Sequence, residues 1–182
     1  MGNHKGHEGS KETTWYDTIF SIMPERAMPV GIRIRPATLA DIPSLLHHRR
    51  SMYLDMGKRD AHALDVMEAT SEKYFRPAIA DGSYRGFLAE TEDGRVVAGG
   101  GIVISPWPGH PGEIHPRRAM ILNMYTEKDS RRCGIARQLM LTMMDWLRKE
   151  GFPKVGLHAS DEGRPLYESL GFEVSNEMEI KL

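Results

Sequence analysis

The feature that most constrains the fold is a strand, a helix and a second strand that follow one another between residues 119 and 172. Residues 119–126 (AMILNMYT) are almost continuously apolar, which is typical of a strand covered on both faces. Residues 134–149 carry apolar side chains at helical spacing, and residues 155–159 (VGLHA) follow as a second, short strand. A helix that connects two neighbouring strands makes them parallel, with a right-handed crossover. The sequence therefore predicts an α/β fold.

The remaining segments supply further strands and helices. Alternating or apolar runs predict strands at residues 31–35, 84–91, 95–105 and 172–182, and apolar faces predict helices at about 38–56, 61–79 and 165–170. A tight Asp-Gly turn at residues 93–94 joins two of these strands into a hairpin. Gly99, Gly100 and Gly101 weaken the second strand of the hairpin, which indicates a bulge or a close approach of the backbone there.

Composition and charge exclude several classes of protein. The 182 residues are 40% hydrophobic and 27% charged with a formal net charge of -1, as in an ordinary globular domain. The near-neutral charge argues against a general nucleic-acid binder, and the apolar runs are too short to span a bilayer. The single cysteine, Cys133, excludes a disulfide framework within the chain and indicates a reducing compartment. Because the first residues lack the apolar stretch of a signal peptide, we expect a cytoplasmic protein without a nucleic-acid or membrane partner.

The chain divides into a tail and one domain. Residues 1–29 form the tail, in which residues 1–14 are polar enough to be disordered, and residues 30–182 form the domain. His47 and His48 are adjacent on a predicted helix, so their side chains point in different directions, and no histidine spacing matches a zinc motif. We therefore expect no metal site, and solvated or capping roles for these two histidines.

The turn before the long helix carries a conflict of charges. Arg131 and Arg132 lie at or just before the helix N-terminus, where the macrodipole disfavours cations, and Arg137 adds a third positive charge one turn later. Gly134 and Ala136 keep side chains small where backbone N–H groups are exposed. A bound anion, best a polyphosphate, would resolve the conflict, whereas a solvated arginine-rich turn is the simpler alternative. The motifs of P-loop nucleotidases and of dinucleotide-binding folds are absent.

Three motifs in this order resemble the GNAT superfamily of N-acetyltransferases. Residues 131–136 (RRCGIA) resemble the [QR]-x-x-G-x-[GA] loop that binds the pyrophosphate of acyl-CoA. Residues 124–126 (MYT) resemble the strand whose backbone pairs with the pantetheine arm, with Thr126 where valine is more usual. Residues 166–172 (LYESLGF) resemble the L-Y-x-x-x-G-F ending of the family, and the whole resemblance covers residues 30–182.

The resemblance implies a fold and an activity. The fold is a mixed, mostly antiparallel sheet of six or seven strands with helices on both faces, in which the parallel strands at 119–126 and 155–159 splay apart. The activity is transfer of the acetyl group of acetyl-CoA, the co-substrate, to a primary amine of a small molecule or peptide by direct attack. Tyr167 would be the general acid that protonates the departing thiolate, and a backbone N–H near Met124 would polarise the thioester carbonyl.

The resemblance also assigns binding residues. Those expected to contact acetyl-CoA are Met124, Tyr125, Thr126, Arg131, Arg132, Cys133, Gly134, Ile135, Ala136, Arg137 and Ser160. Ser160 stands where the family often has asparagine, and Met120 stands where some members have a glutamate base, so no carboxylate base is expected at that position. Those that border the acceptor pocket or could reach the amine are Tyr53, Glu113, His115 and Asn123, together with Arg49 and Arg50. Asn123 either bonds to a neighbouring strand or faces the cleft.

Two alternatives to an enzyme stay open. The chain could be a non-catalytic acyl-CoA-binding regulatory domain, or a phosphoanion-binding module unrelated to CoA. Tyr167 could be a core tyrosine between Leu166 and Leu170, although the reaction needs a proton donor to the thiolate and a phenol suits that task. The residues leave open which amine is the acceptor and whether the protein forms a homodimer.

Overall fold

A five-stranded sheet forms the centre of the computed structural model, which describes residues 31–109, 111 and 114–181. The strands, in their order across the sheet, are β1 (Ile32–Pro36), β2 (Tyr84–Thr91), β3 (Val96–Pro106), β4 (Arg117–Thr126) and β5 (Gly156–Leu157). The first four strands pair antiparallel with their neighbours, and β5 pairs parallel to β4. The predicted mixed sheet and its parallel crossover are confirmed.

The helices of the described residues follow the predicted order. They are α1 (Ile42–Asp55), α2 (Ala61–Asp81), α3 (Ile135–Lys149) and α4 (Arg164–Glu168). α2 begins where the carboxylate of Asp60 accepts a hydrogen bond of 3.0 Å from the backbone N–H of Ala63, and it ends at the left-handed Gly82. Among these ranges, no helix combines the length and the apolar character that a membrane crossing requires.

Helices cover both faces of the sheet, as predicted. α3 packs on one face, where Leu139, Met140 and Met143 are fully buried against β2, β3 and β4. α1 and α2 cover the other face with Ile42 and Phe75, which are equally well buried. Each large apolar side chain buried in this way contributes roughly 1.5–3 kcal/mol. The apolar cluster beneath α3 includes Ala119 and Ile121 of β4 and so fixes the strand on which the site described below is built.

The sheet has five strands in the described residues rather than six or seven. The predicted last strand does not form over residues 172–181, where Val174, Met178 and Ile180 are 86%, 96% and 83% exposed. The alternation of these apolar residues with polar ones fits a strand, yet a strand needs a partner edge, and β5 has only two residues. The alternating apolar pattern is therefore present, but the two residues of β5 offer too short an edge for these residues to pair with. Residues 1–29 lie outside the described residues, so the disordered tail and the domain boundary stay predictions.

The three glycines of β3 lie opposite a bulge in β4. Gly99 pairs with Tyr125 and Gly101 pairs with Leu122, so β4 contributes one extra residue across from the glycines. Asn123 lies within this stretch and has a φ of 59°, in the left-handed region that few residues other than glycine adopt. The predicted bulge is confirmed, and Asn123 is where the strand bends.

The same glycines leave room for side chains from other elements. A Cβ on Gly101 would overlap the hydroxyl of Tyr84, which lies beneath it. A Cβ on Gly99 would lie 2.9 Å from Nδ1 of His48 on α1, closer than Cβ atoms approach other atoms in folded proteins. The predicted close approach to the backbone is therefore confirmed as well, and it brings polar groups from α1 and β2 under the bulge.

Candidate active site

β4 and β5 part within the sheet. Their pairing comprises Met120 with Gly156 and Ile121 with Leu157, and it ends there. Residues 122–126 consequently have no strand neighbour on that side within the described part of the chain. Backbone N–H and C=O groups along such an edge can bind an extended ligand as an added strand would. The predicted parting of the two strands is present, and the bulge lies at its start.

The side chains of the predicted pantetheine strand are used in packing. Met124 lies against Gly100 and joins the apolar cluster beneath α3. Tyr125 is buried on the opposite face, with its ring centroid 5.3 Å from that of His48. The carbonyl of Thr126 accepts a hydrogen bond of 2.8 Å from Nε of Arg131. The Met124 and Tyr125 side chains are thus committed to packing, which is consistent with the backbone role that the resemblance implies for this strand.

The start of α3 is open to an anion. Gly134 precedes the helix with a φ of 85°, and Arg132 has a φ of 64°, so the turn is left-handed at two positions. Gln138 donates the first hydrogen bond of the helix, 3.1 Å long, to the carbonyl of Gly134. The N–H groups of Ile135 and Ala136 therefore have no acceptor within the helix, and no described side chain caps it. Unsatisfied N–H groups and the positive end of the macrodipole favour a phosphate at this place.

The Arg131 guanidinium is held on the side of α1. It forms an ion pair with Asp55 at the end of α1 and lies 5.4 Å from the ring centroid of Tyr125. The hydrogen bond from Arg131 is the main reason that the pKa of Asp55 lies below its usual range. Lys128 reaches the other oxygen of Asp55 at 3.2 Å. Asp55 therefore relieves part of the charge conflict that the sequence shows in this turn.

Three further predicted CoA contacts take part in local structure. Arg137 donates a hydrogen bond of 2.6 Å from Nη2 to Oγ of Ser169, which ties α3 to the end of α4. The hydroxyl oxygen of Ser160 accepts a hydrogen bond of 3.2 Å from the backbone N–H of Gly163. Cys133 is exposed, and its Sγ lies 3.4 Å from the carbonyl oxygen of the residue two positions before it. These contacts shape the turn and hold α4 beside the start of α3.

Tyr167, the predicted proton donor, lies on α4. Its ring is half-buried against the apolar cluster beneath α3, with the ring centroid of Phe172 6.1 Å away. Burial raises the pKa of the Tyr167 phenol above its usual range. The phenol therefore stays protonated at neutral pH, which is the form that a proton donor requires.

The structure brings together three of the six predicted acceptor residues. Asn123 is buried, 8% exposed, and its Oδ1 accepts a hydrogen bond from Nη1 of Arg49 on α1. The same guanidinium lies 5.2 Å from the ring centroid of Tyr53. The Asn123 side chain thus bonds to a helix, an arrangement that neither of the two interpretations of its sequence position contained.

The other three predicted acceptor residues are not part of this arrangement. Arg50 pairs with Asp65 and Glu68 on α2. His115 hydrogen-bonds through Nδ1 with the backbone of Arg117, and its ring centroid lies 4.6 Å from that of Phe152. It precedes the first residue of β4, roughly 25 Å along the strand from Asn123 at the usual rise per residue. Glu113 lies outside the described residues.

Comparison with known proteins decides the family. Residues 47–172 match the model of the acetyltransferase (GNAT) family, and this range is more than half of the chain. The chain belongs to the GNAT acetyltransferase family. It is accordingly an acyltransferase. No curated protein matches the sequence significantly.

Solved structures agree with this family. A GCN5-related N-acetyltransferase from Ralstonia eutropha JMP134 is 33% identical, with a TM-score of 0.77 over 84% of this chain and 99% of the other. A predicted acetyltransferase from Clostridium acetobutylicum, solved with acetyl-CoA, is 27% identical, with a TM-score of 0.74 over 82% and 96%. Glucosamine-6-phosphate N-acetyltransferase from Arabidopsis thaliana, 16% identical over 83% and 97%, has a TM-score of 0.62 and shares the fold.

The sequence interpretation was wrong about one histidine of this acetyltransferase. His48 is 2% exposed rather than solvated or capping, and burial is the main cause that lowers its pKa to about 4. The neighbouring His47 points outward, where its Nε2 lies 2.7 Å from an Oε1 of Glu127. The signal for burial was available, since His48 follows the buried Ile42 and Leu45 at steps of three residues along α1.

The acidic, histidine and cysteine side chains of the described residues form no group that could hold a metal ion. Several carboxylates of the described residues form ion pairs with arginine or lysine instead, as Asp55 does with Arg131 and Lys128.

Proposed function

We propose that this protein transfers the acetyl group of acetyl-CoA to a primary amine of a small molecule or a peptide, with no covalent intermediate on the enzyme. One observation supports the proposal most strongly. Residues 122–126 of β4 have a backbone edge without a strand neighbour, and the chain continues from this edge to the uncapped start of α3. An extended pantetheine arm requires the first feature and a pyrophosphate requires the second.

The residues at these two places suit acetyl-CoA, which supplies an activated thioester when it is bound. Backbone groups of residues 124–126 would bond to the arm. The N–H groups of Ile135 and Ala136 would bind the pyrophosphate, and the exposed Arg132 lies beside them. The same division between arm and phosphates is what the motifs at 124–126 and 131–136 imply.

Attack by the amine places negative charge on the thioester oxygen. The backbone N–H of Met124, directly after the bulge, would donate to that oxygen. Holding the amine nitrogen against the carbonyl contributes much of the rate. Water takes the amine proton in this proposal, because Met120 stands where some family members have a carboxylate and His115 lies at the other end of β4.

Tyr167 would supply the proton to the departing thiolate. Its raised pKa, caused by burial, keeps the phenol protonated until the thiolate develops. The link between Arg137 and Ser169 holds α4, and with it Tyr167, beside the start of α3. The donor is thus positioned by the same helix whose first N–H groups would bind the phosphates.

An acceptor screen tests the proposal. The full chain is incubated with acetyl-CoA and a panel of primary amines, and free CoA is followed with a thiol reagent. We expect CoA release that depends on one class of amine. Tight binding of acetyl-CoA without release in the presence of any amine would identify the regulatory acyl-CoA-binding domain instead. Equal affinity for ATP and CoA would identify a phosphoanion-binding module.

A further inference from the structure

Arg49 is a half-buried cation without a carboxylate partner. Its Nη1 donates a hydrogen bond to the neutral amide oxygen of Asn123, and its Nε is buried without a partner. None of the described carboxylates forms an ion pair with this guanidinium, and its other close contact is the ring of Tyr53. A charge removed from water in this way is unfavourable unless an opposite charge compensates it.

Two neighbouring arginines are compensated by carboxylates. Arg50, the next residue on α1, pairs with Asp65 at 2.9 Å and with Glu68, both on α2. Arg131 pairs with Asp55. Arg49 alone among these three faces the bulge of β4 and bonds to an amide oxygen, and no described carboxylate pairs with it.

The position of Arg49 links this charge to the proposed reaction. Asn123 directly precedes Met124, whose N–H we assign to the thioester oxygen, and Arg49 is one hydrogen bond from Asn123. The Asn123 side chain also interacts with the buried hydroxyl of Tyr84, so its amide is turned into the protein and positions Arg49 rather than a ligand. The Arg49 guanidinium thus lies next to the proposed reaction centre without an acidic partner among the described residues, and one anionic oxygen group could compensate it.

We propose that Arg49 binds an anionic group, a carboxylate or a phosphate, which the acceptor carries within a few bonds of its amine. The planar guanidinium fork suits either oxyanion. The acceptor class is then a small amino acid or an amino phosphate, whereas a polyamine or an uncharged amine would leave Arg49 uncompensated. This inference rests on the proposed acetyl transfer, because it uses that reaction to place the amine.

Matched pairs of acceptors test the inference. Glycine is compared with glycinamide, and phosphoethanolamine with ethanolamine, so that each pair differs only in the anionic group and the two pairs separate carboxylate from phosphate. We expect kcat/KM to be at least tenfold higher for the anionic member of one pair, since a hydrogen bond to a charged group is involved. Arg49→Gln should abolish this preference by raising KM, with KM for acetyl-CoA unchanged.

Two variants serve as controls. Arg76→Gln, which breaks a paired arginine on the neighbouring helix α2, should retain the preference. Arg49→Lys keeps the charge but lacks the planar guanidinium, so it should retain part of the preference for the anionic acceptor. If the melting temperature shows that Arg49→Gln does not fold, Arg49→Lys is the variant used for the test. A preference that survives in both Arg49 variants, or equal kcat/KM within both pairs for the unaltered protein, would overturn the inference.

Calorimetry separates this inference from the proposed function. If no amine supports CoA release, acetyl transfer has failed, and the anion site is judged by binding of glycine and phosphoethanolamine in the presence of desulfo-CoA. A heat of binding with one of these compounds that the unaltered protein shows and Arg49→Gln lacks supports the anion site. No heat with either compound contradicts it.

Discussion

The bulge lies within β4 and the turn into α3 follows the end of that strand, but the two are built in different ways. The turn is contiguous in sequence, and the groups that we propose to bind the pyrophosphate are the backbone N–H groups of Ile135 and Ala136. The bulge depends on side chains from separate elements, since Arg49 and Asn123 are 74 residues apart. A site made from consecutive backbone groups leaves a motif in the sequence, whereas a site assembled from distant side chains leaves none.

The two regions also differ in how they balance charge. Beside the turn, Arg131 and Lys128 share the carboxylate of Asp55. At the bulge, Arg49 bonds only to an amide oxygen and an aromatic face. The turn therefore needs a ligand for its backbone N–H groups, and the bulge needs a ligand for its side-chain charge.

The largest expected effect concerns Tyr167, beside the turn. Tyr167→Phe removes one hydroxyl and keeps the ring, so packing should change little. If the hydroxyl protonates the thiolate, kcat should fall about 100-fold while CoA affinity stays the same. Turnover, calorimetry and melting temperature are measured on one preparation.

A control comes from Tyr74, an exposed tyrosine on α2, for which Tyr74→Phe should leave kcat unchanged. Normal turnover with a lowered melting temperature for Tyr167→Phe would make Tyr167 a structural tyrosine and leave water as the proton donor.

The next effect concerns the bulge and is a dependence of stability on pH. The folded chain binds a proton on His48 only near pH 4, whereas the unfolded chain binds it near pH 6.5. Lowering the pH through this window therefore favours the unfolded state, by up to about 1.4 kcal/mol per pH unit. Above pH 6.5 this contribution should be constant. Urea denaturation at pH 4.5, 5.5, 6.5 and 7.5 measures it.

The variant His48→Asn should flatten this pH dependence, and His47→Asn, at the exposed neighbour, should preserve it. The comparison uses slopes rather than absolute stabilities, because His48→Asn also alters packing against Gly99. An unchanged slope in His48→Asn would show that another group is responsible.

A smaller effect concerns CoA binding at the turn, where two charge reversals are compared. Arg131→Glu and Lys128→Glu each put a carboxylate beside Asp55, but only residue 131 belongs to the pyrophosphate motif. We expect Arg131→Glu to weaken CoA binding about tenfold more than Lys128→Glu, since it also removes the hydrogen bond to the Thr126 carbonyl that holds the turn and places a negative charge within the phosphate-binding motif. Titration calorimetry with CoA measures both. Equal losses would mean that only the general field of the protein acts here.

The smallest effect concerns the tail. Deletion of residues 1–14 should leave soluble expression, the melting temperature and CoA affinity unchanged, because this segment has almost no apolar side chains with which to anchor itself. Loss of soluble protein on deletion would show that the tail belongs to the fold.

Local sequence patterns predicted most of the fold. Periodicity located α1, α2 and α3, and the glycines at 99–101 predicted the bulge, because both signals depend on neighbouring residues. The strand predicted at 172–182 shows the limit of such signals. Its alternating pattern is real, but pairing depends on the length of β5, which the pattern does not report.

The candidate site was predictable only where its residues are consecutive in the sequence. The motif at 131–136 identifies the turn, yet the pairing of Arg131 with Asp55 needs the end of α1 to reach the end of β4. The bond between Arg49 and Asn123 likewise depends on a left-handed residue within a strand, which no side-chain pattern indicates. Tertiary placement, rather than residue type, decides which charges are compensated.

Calorimetric titration of the full chain with acetyl-CoA and with desulfo-CoA tests the central claim most directly. The claim is that β4 and the start of α3 form one binding site, held by backbone groups along the arm and at the pyrophosphate. It predicts saturable binding of both compounds with similar affinity, because the sulfur makes none of these contacts. Absence of heat with both compounds, together with an unchanged melting temperature at saturating concentrations, would contradict it.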